Sequence, residues 1–512
     1  MPAHRTAKGD VAVSSTTANA SFWEGPLTSS LTKKDKVTTP EMLFGYLVGP
    51  FGGLLASGIF TSQLQNYFTD VLQLDLSFLT ALQLFSTVLI VIANLVVGQL
   101  IERTHCLAGK ARPWVLLSAL TFSVSTVFMF FVPFEGVAKM VWIAIAYNLY
   151  YAVAYPIYNT ANSTLVAVST RDSEKRGALA SLTNIAGFGV MGTGTMVFPM
   201  LVSFALKQDQ NLWFLAMLAV AILTALTVYL QYRFTRERIT EELLAGGGDA
   251  TEGDAAKKAD APSLNAQLSA VTRESQWWII MGVYLLYQWS GAIKNGSMTY
   301  FCKWVLDNTF FGTADAWGAS QSMLSILGAL PMAAAILFVI PLCNKLGKQR
   351  VCIAGMVVGV IGGVIAFLGN GQIVPVGVGI ALKCLGSAPI GYMILAMLAD
   401  VIDHVEFKSS LRTDGLTMSI YSSIMVAATP ICNAIFSGVL GAVGYNQAAD
   451  ITLGTAAQTA LTQGAISVSY ILVETVCFAI CGVLLLSFNV EKNLPAEQEA
   501  LKQRHESAGQ AA

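Results

Sequence analysis

Long apolar runs separated by short polar connections dominate the chain from residue 42 to residue 488. A bilayer hydrocarbon core of about 30 Å needs roughly 20 apolar residues of helix to cross it. Twelve runs are long enough, near 42–68, 76–99, 113–134, 140–168, 178–206, 211–233, 276–304, 317–343, 351–369, 374–399, 415–444 and 464–488. The pattern predicts an all-α integral membrane protein with twelve transmembrane helices.

The polar positions carry the topology. Arg103, Lys110 and Arg112 follow the second run, and Arg171, Lys175 and Arg176 the fourth. Arg233, Arg236, Arg238, Lys257, Lys258 and Arg273 follow the sixth. Lys345, Lys348 and Arg350 follow the eighth, and Lys408 and Arg412 the tenth. The odd-numbered connections offer only Lys139 and Lys207. Basic residues collect on the cytoplasmic side, so both termini are expected there, on a multi-pass plasma-membrane protein.

Residues 241–275 interrupt the pattern. The stretch "ELLAGGGDATEGDAAKKADAPSLNAQ" has no apolar face and reads as a flexible cytoplasmic linker. It divides the chain into a 1–41 disordered cytoplasmic tail, a 42–240 six-helix bundle, the linker, a 276–490 six-helix bundle and a 491–512 cytoplasmic tail. The N-terminal tail has no apolar core of the kind a secretion signal carries. The halves echo each other: "LAGKARPW" follows helix 2 and "KLGKQRVC" follows helix 8, each with GKxR, at Gly109–Arg112 and Gly347–Arg350. "RDSEKRG" and "DHVEFKSSLR" follow helices 4 and 10. Parallel repeats of this kind, with a midplane site between them, mark the major-facilitator fold.

Composition agrees and narrows the chemistry. Of 512 residues, 54% are hydrophobic and 12% charged, against about 25% charged in soluble domains. The eight cysteines form no CxxC pair; small apolar packing residues is the better reading than a metal site. "GFGVMG" (187–192) fits a dinucleotide fingerprint but sits inside an apolar run, so its glycines, like Gly355 and Gly359, are read as points of close helix approach. No phosphate-binding GxxxxGK[ST] loop, no HExxH, no intramembrane histidine cluster and no basic patch with interleaved aromatics is present. The chain is therefore not expected to be an enzyme, to hold a cofactor or to bind nucleic acid. A monomer in the lipid bilayer is expected.

The stretch "MLADVIDHVEFKSSLRTDGLTMSIYSS" (397–423), with "NYFTDVLQL" (66–74) and "GKARPWVL" (109–116), resembles the glycoside–pentoside–hexuronide:cation symporters, the melibiose-carrier-like family of the major facilitators. The resemblance runs thinly over 42–490. It implies sugar or glycoside transport by alternating access, with H+ or Na+ as the coupling ion. The departures are as informative. The paired helix 2 aspartates of the cation-coupled members are Ile90 and Asn94 here, and the helix 4 aspartate aligns near Ala154. The sugar-binding aspartate of helix 1 falls at Leu54. The helix 11 lysine falls near Val426, and the helix 5 arginine near Thr183 or Asn184.

Three charges stand out deep inside the predicted spans instead: Lys294, Lys383 and Glu474. Charges at such depth are costly and usually functional. Two lysines without neighbouring aspartates suggest an anionic solute such as a hexuronide; pairing within the bundle is the other reading. Glu474 is a candidate proton carrier, or a carboxyl held by a neighbour. Ser57, Thr61, Tyr151, Tyr158, Asn184, Tyr421 and Ser422 complete a candidate sugar site, Tyr158 as a stacking ring. Asn94 joins Glu474 as a candidate for cation coupling. Arg112, Arg176, Asp400, Asp403, Glu406 and Arg412 are read as interfacial ion pairs, in their functional form a cytoplasmic gate between the halves. An amphipathic or lipid-like solute, or a transport-silent sensor, remain alternatives.

Overall fold

The computed structural model describes residues 23, 25, 27–32, 36–104, 106, 108–245, 264–313, 315–411 and 413–510. Residues 1–22 of the expected tail, 246–263 of the expected linker and Arg412 of the expected gate lie outside the described residues. The described residues are helical, with no strand.

The first six long helices are α1 Glu41–Val71, α2 Leu76–Glu102, α3 Arg112–Phe130, α4 Gly136–Val168, α5 Lys175–Leu206 and α6 Gln210–Phe234. Then follow α7 Ser275–Trp304, α8 Trp317–Leu346, α9 Lys348–Leu368, α10 Ile373–Ser409, α11 Asp414–Ala442, α12 Ala460–Leu486 and α13 Val490–Gln510. Among the described residues, eleven helices are long and apolar enough to cross a membrane, all of these except α7 and α13. Helix α7 runs for 30 residues and carries Lys294 and Lys303. The protein is a multi-pass integral membrane protein.

The chain forms two compact units. One contains Met1–Ser57, Ile92–Met191 and Asn211–Ala256. The other contains Gly58–Val91, Gly192–Gln210 and Lys257–Ala512, so parts of α1, α2 and α5 belong with the helices of the second half.

In the second unit, glycines set the packing. Helix α9 places Gly355 against the Gly386 carbonyl of α10, and Gly362 against Gly379 of the same helix, where a Cβ would find no room. Gly359 and Gly363 receive Phe478 and Thr475 of α12. Backbone-to-backbone approach of this kind needs small residues. It draws α9, α10 and α12 together around Lys383. The expected close approach at Gly355 and Gly359 is observed. Gly187 has open space around it instead.

The GKxR echo has a physical basis. Gly109 (φ +104°) and Gly347 (φ +91°) each turn the chain through the left-handed region just before a helix begins. The first amides of that helix lack intrahelical acceptors. Glu237 accepts hydrogen bonds from the N–H groups of Lys110, Ala111 and Arg112 at 2.9, 2.8 and 2.7 Å. Glu491 accepts those of Lys348 and Gln349 at 2.6 and 2.9 Å. A carboxylate at a helix N-terminus is also favoured by the helix dipole. Both glutamates come shortly after the sixth long helix of their half, α6 or α12.

Two predicted tails are structured where described. Leu31 N–H donates to the Arg233 carbonyl, and Ser30 and Thr32 donate to the Thr235 and Phe234 carbonyls. Residues 490–510 form α13, which buries Val490, Glu497 and Leu501 and packs on α10.

Candidate functional site

Helices α7, α10 and α12 bring Lys294, Lys383 and Glu474 into one cluster. A π-helical stretch, Val468–Leu472, precedes Glu474 on α12 and carries Tyr470; such wide turns recur at functional sites. The Glu474 carboxylate lies 3.2 Å from Lys294 Nζ through one oxygen and 2.7 Å from Lys383 Nζ through the other. Lys383 Nζ also donates to the Tyr470 carbonyl at 3.3 Å and sits 5.7 Å from that ring's centroid. The lysines differ in access: the Lys294 side chain is 21% exposed, that of Lys383 0%, and that of Glu474 5%.

The lysines pair within the bundle, the second of the two readings open for them, and Glu474 is a carboxyl held by its neighbours. One expectation is corrected. Lys383 lines no cavity here, because the close nesting of α9, α10 and α12 encloses it and its ammonium is committed to Glu474 and Tyr470. Two ammonium groups and one carboxylate leave the cluster with one formal positive charge in excess, and Lys294 is the accessible cation.

A second charged group went unread in the sequence. Asp70 ends α1 in a π-helical turn, Tyr67–Val71, and its carboxylate pairs with Lys303 of α7 at 2.6 Å. The same ammonium donates to Asn66 Oδ1. Tyr445 OH donates to Asp70 at 2.9 Å, and Trp304 Nε1 donates to Tyr445 at 2.9 Å. Around the pair, Thr69 meets Tyr300, and Gln63 donates to Thr299 and Gln321. Asp70 lay in a family-like stretch and Lys303 in a predicted span, but both sit within a turn of a helix end, where charges read as interfacial.

The aromatic and polar candidates scatter. Tyr158 is fully buried; its hydroxyl donates to Gln231 Oε1 at 2.8 Å and its ring meets Phe122 edge-on. It is a packing residue, not an open stacking platform. Tyr151 is half-buried against Tyr147 and Tyr150. Ser57 lies beside Tyr150 and is half-buried, as are Thr61 and Asn94. Asn184 and Ser422 are exposed. Tyr421 stacks on Tyr284 with centroids 4.1 Å apart.

Asp400, Asp403 and His404 find partners within their own half. Asp400 pairs with Lys348 at 2.6 Å. Asp403 accepts from Gln498 of α13, and His404 meets Glu497 at 2.7 Å. Lys408 donates to Glu274 at 2.8 Å. Burial pushes the Glu274 pKa up, but the Lys408 bond, the Gln276 N–H and nearby His404 outweigh it and hold the carboxyl below the usual range. Glu406 is buried. Arg112 is buried too, and donates to the carbonyls of Ala108 and Tyr232 in the first half. Arg176 is exposed. These contacts fasten helix ends within one half. The expected gate pairs between halves are not what Asp400, Asp403 and Arg112 make, because each has a nearer partner in its own half.

Comparison with known families decides the class. Residues 45–492 match the family model described as MFS/sugar transport protein. The chain belongs to this family. It is 26% identical over 489 residues to an isoprimeverose transporter of Lactiplantibacillus pentosus, covering 93% of this chain and 94% of that one. A glucuronide carrier protein homolog of Escherichia coli is 20% identical, over 90% and 93% of the two chains. Among solved structures, the nucleoside transporter NupG superposes with a TM-score of 0.55 at 14% identity, covering 88% of this chain and 98% of that one. A proton-dependent oligopeptide transporter structure gives 0.54 at 14% identity, over 88% and 98%. These likenesses place the fold among the major facilitators. The protein is a secondary-active, non-enzymatic membrane transporter of a small solute.

Proposed function

We propose that the solute is a glycoside bearing an acidic group, such as a hexuronide, moved by alternating access of two six-helix halves with α7 as the twelfth span. The observation that carries this reading is the Lys294–Glu474–Lys383 cluster. Its excess positive charge, with Lys294 accessible, calls for an anionic partner, since an unpaired charge at such depth is expensive. Similarity to the glucuronide carrier homolog supports an acidic sugar, and similarity to the isoprimeverose transporter supports a glycoside. Ile90 and Asn94 replace the usual sodium-site aspartates, so coupling, if to a cation, uses another site. The charge asymmetry of the connections supports cytoplasmic termini.

A second reading, an amphipathic solute, is favoured by one feature. A cavity of about 760 Å³ between the start of α2 and the end of α11 grades from Asp75, Ser77 and Gln447 to Leu84 and Phe85.

The test is uptake into proteoliposomes of matched neutral and uronic-acid glycosides under a proton gradient, a sodium gradient or neither. Uptake confined to the acidic member supports the proposal. Equal uptake of the neutral member removes the role given to the cluster.

A further inference from the structure

Asp70 and Lys303 come from opposite halves of the chain, 233 positions apart, yet they make a buried ion pair. Asp70 is 2% exposed and the Lys303 side chain 6%. The surrounding hydrogen bonds repeat the same crossing: Thr69 to Tyr300, Tyr445 to Asp70, Gln63 to Thr299 and Gln321, and Gln65 to Ser437 at 2.6 Å. Thr299 also donates to the Ser62 carbonyl at 2.9 Å, and on α1 the seam residues Ser62, Gln63, Gln65, Asn66, Thr69 and Asp70 recur at helical spacing along one broad face. The Lys303 ammonium also lies 5.0 Å from the Trp317 ring centroid, a favourable cation–π distance.

A transporter that works by alternating access must break such a seam once per cycle. We propose that Asp70 and Lys303 form the latch that shuts the solute path at the end where α1 and α7 finish. The placement fits. Lys303 is nine residues beyond Lys294 on the same helix, about 13 Å along its axis, so the latch lies directly along α7 from the accessible cation of the candidate site. Neutral seam bonds exchange for bonds to water at little net cost. A buried ion pair differs: parting it leaves two charges that must be hydrated together. A pocket of about 40 Å³ beside the pair, lined by Asn66, Lys207, Lys303 and Asp315 among others, has room for about one water. Hydration therefore has a place to begin. The proposal rests on the transport reading but not on the identity of the solute.

The test uses the full chain in proteoliposomes. Ile59, buried at 1% and on the seam face of α1, is replaced by cysteine, and its modification by a membrane-impermeant maleimide is followed by peptide mass spectrometry. With the latch intact, labelling is slow. Lys303→Met is expected to speed it on the order of tenfold or more, and Lys303→Arg to restore protection. If Lys303→Met does not fold, the double variant Asp70→Asn/Lys303→Met, which leaves no unpaired buried charge, takes its place with the same expected acceleration. Labelling as slow as in the parent, in a variant that keeps its melting temperature, overturns the latch. The labelling needs no solute, so failure to find a transported glycoside would count against the proposed function and leave this result standing.

Discussion

The Lys383 ammonium lies 2.7 Å from the Glu474 carboxylate with no exposure at all, while Lys294, on the other oxygen of the same carboxylate, keeps a fifth of its side chain accessible. One carboxylate thus holds two ammonium groups of different access. In the proposed function Lys383 positions Glu474, and Lys294 is the cation offered to the solute.

This division predicts different outcomes for two like substitutions. Lys294→Gln should fold with little loss, since Glu474 keeps Lys383, and should lose most uptake of acidic glycosides. Lys383→Gln leaves Glu474 with Lys294 but puts an amide into an enclosed site fitted to an ammonium and takes a donor from the Tyr470 carbonyl, so it should lower stability more than Lys294→Gln, by about 1–3 kcal/mol. Thermal unfolding in detergent beside uptake separates the two. Equal effects of both variants on stability would contradict the division.

Tyr158→Phe tests the burial of a residue that looked like a sugar platform. It removes the bond to Gln231 and should cost about 1 kcal/mol. Uptake should be kept, because the ring is fully buried and packs edge-on against Phe122. Loss of uptake at unchanged expression would return Tyr158 to the site.

Glu237→Gln and Glu491→Gln test the repeated helix caps. Each removes a carboxylate that holds two or three helix N-terminal amides, and each should cost about 1 kcal/mol. The Glu237 change should be the larger, because it serves three amides against two. Melting curves of the two single variants check the order.

Glu274 predicts a pH dependence. Its carboxyl titrates lower in the folded protein than the unfolded value of about 4.3. The stability it contributes is therefore present above that pH and lost as pH falls through the folded value. Glu274→Gln should melt below the parent at pH 7, and the gap should close under acid conditions. A gap that persists when the carboxyl is fully protonated would show that packing, not charge, is what the variant lost.

Much of this was legible in the sequence, for identifiable reasons. Apolar runs gave the spans because bilayer thickness fixes helix length. GKxR was legible as an echo because each loop needs glycine at a left-handed position before a helix start. Lys294, Lys383 and Glu474 stood out because charges are rare among such residues. Pairing within the bundle was one of the readings open for them; which charges meet was hidden, because it depends on glycine contacts that bring α9, α10 and α12 within backbone range, and no spacing along one helix encodes that. Asp70 and Lys303 were hidden for another reason, since a charge near a helix end resembles one in water. Tyr158 misled because periodicity finds a face but not what covers it. Helix α13 was read as a tail because few apolar residues, Val490 and Leu501 among them, are needed to dock it.

The most direct test of the central claim is a ratio. Uptake of a glucuronide and of the glucoside with the same aglycone is measured in proteoliposomes of the parent protein and of Lys294→Gln. A strong preference for the glucuronide in the parent, and loss of that preference in the variant, are expected. A glucuronide preference that survives Lys294→Gln unchanged would contradict it.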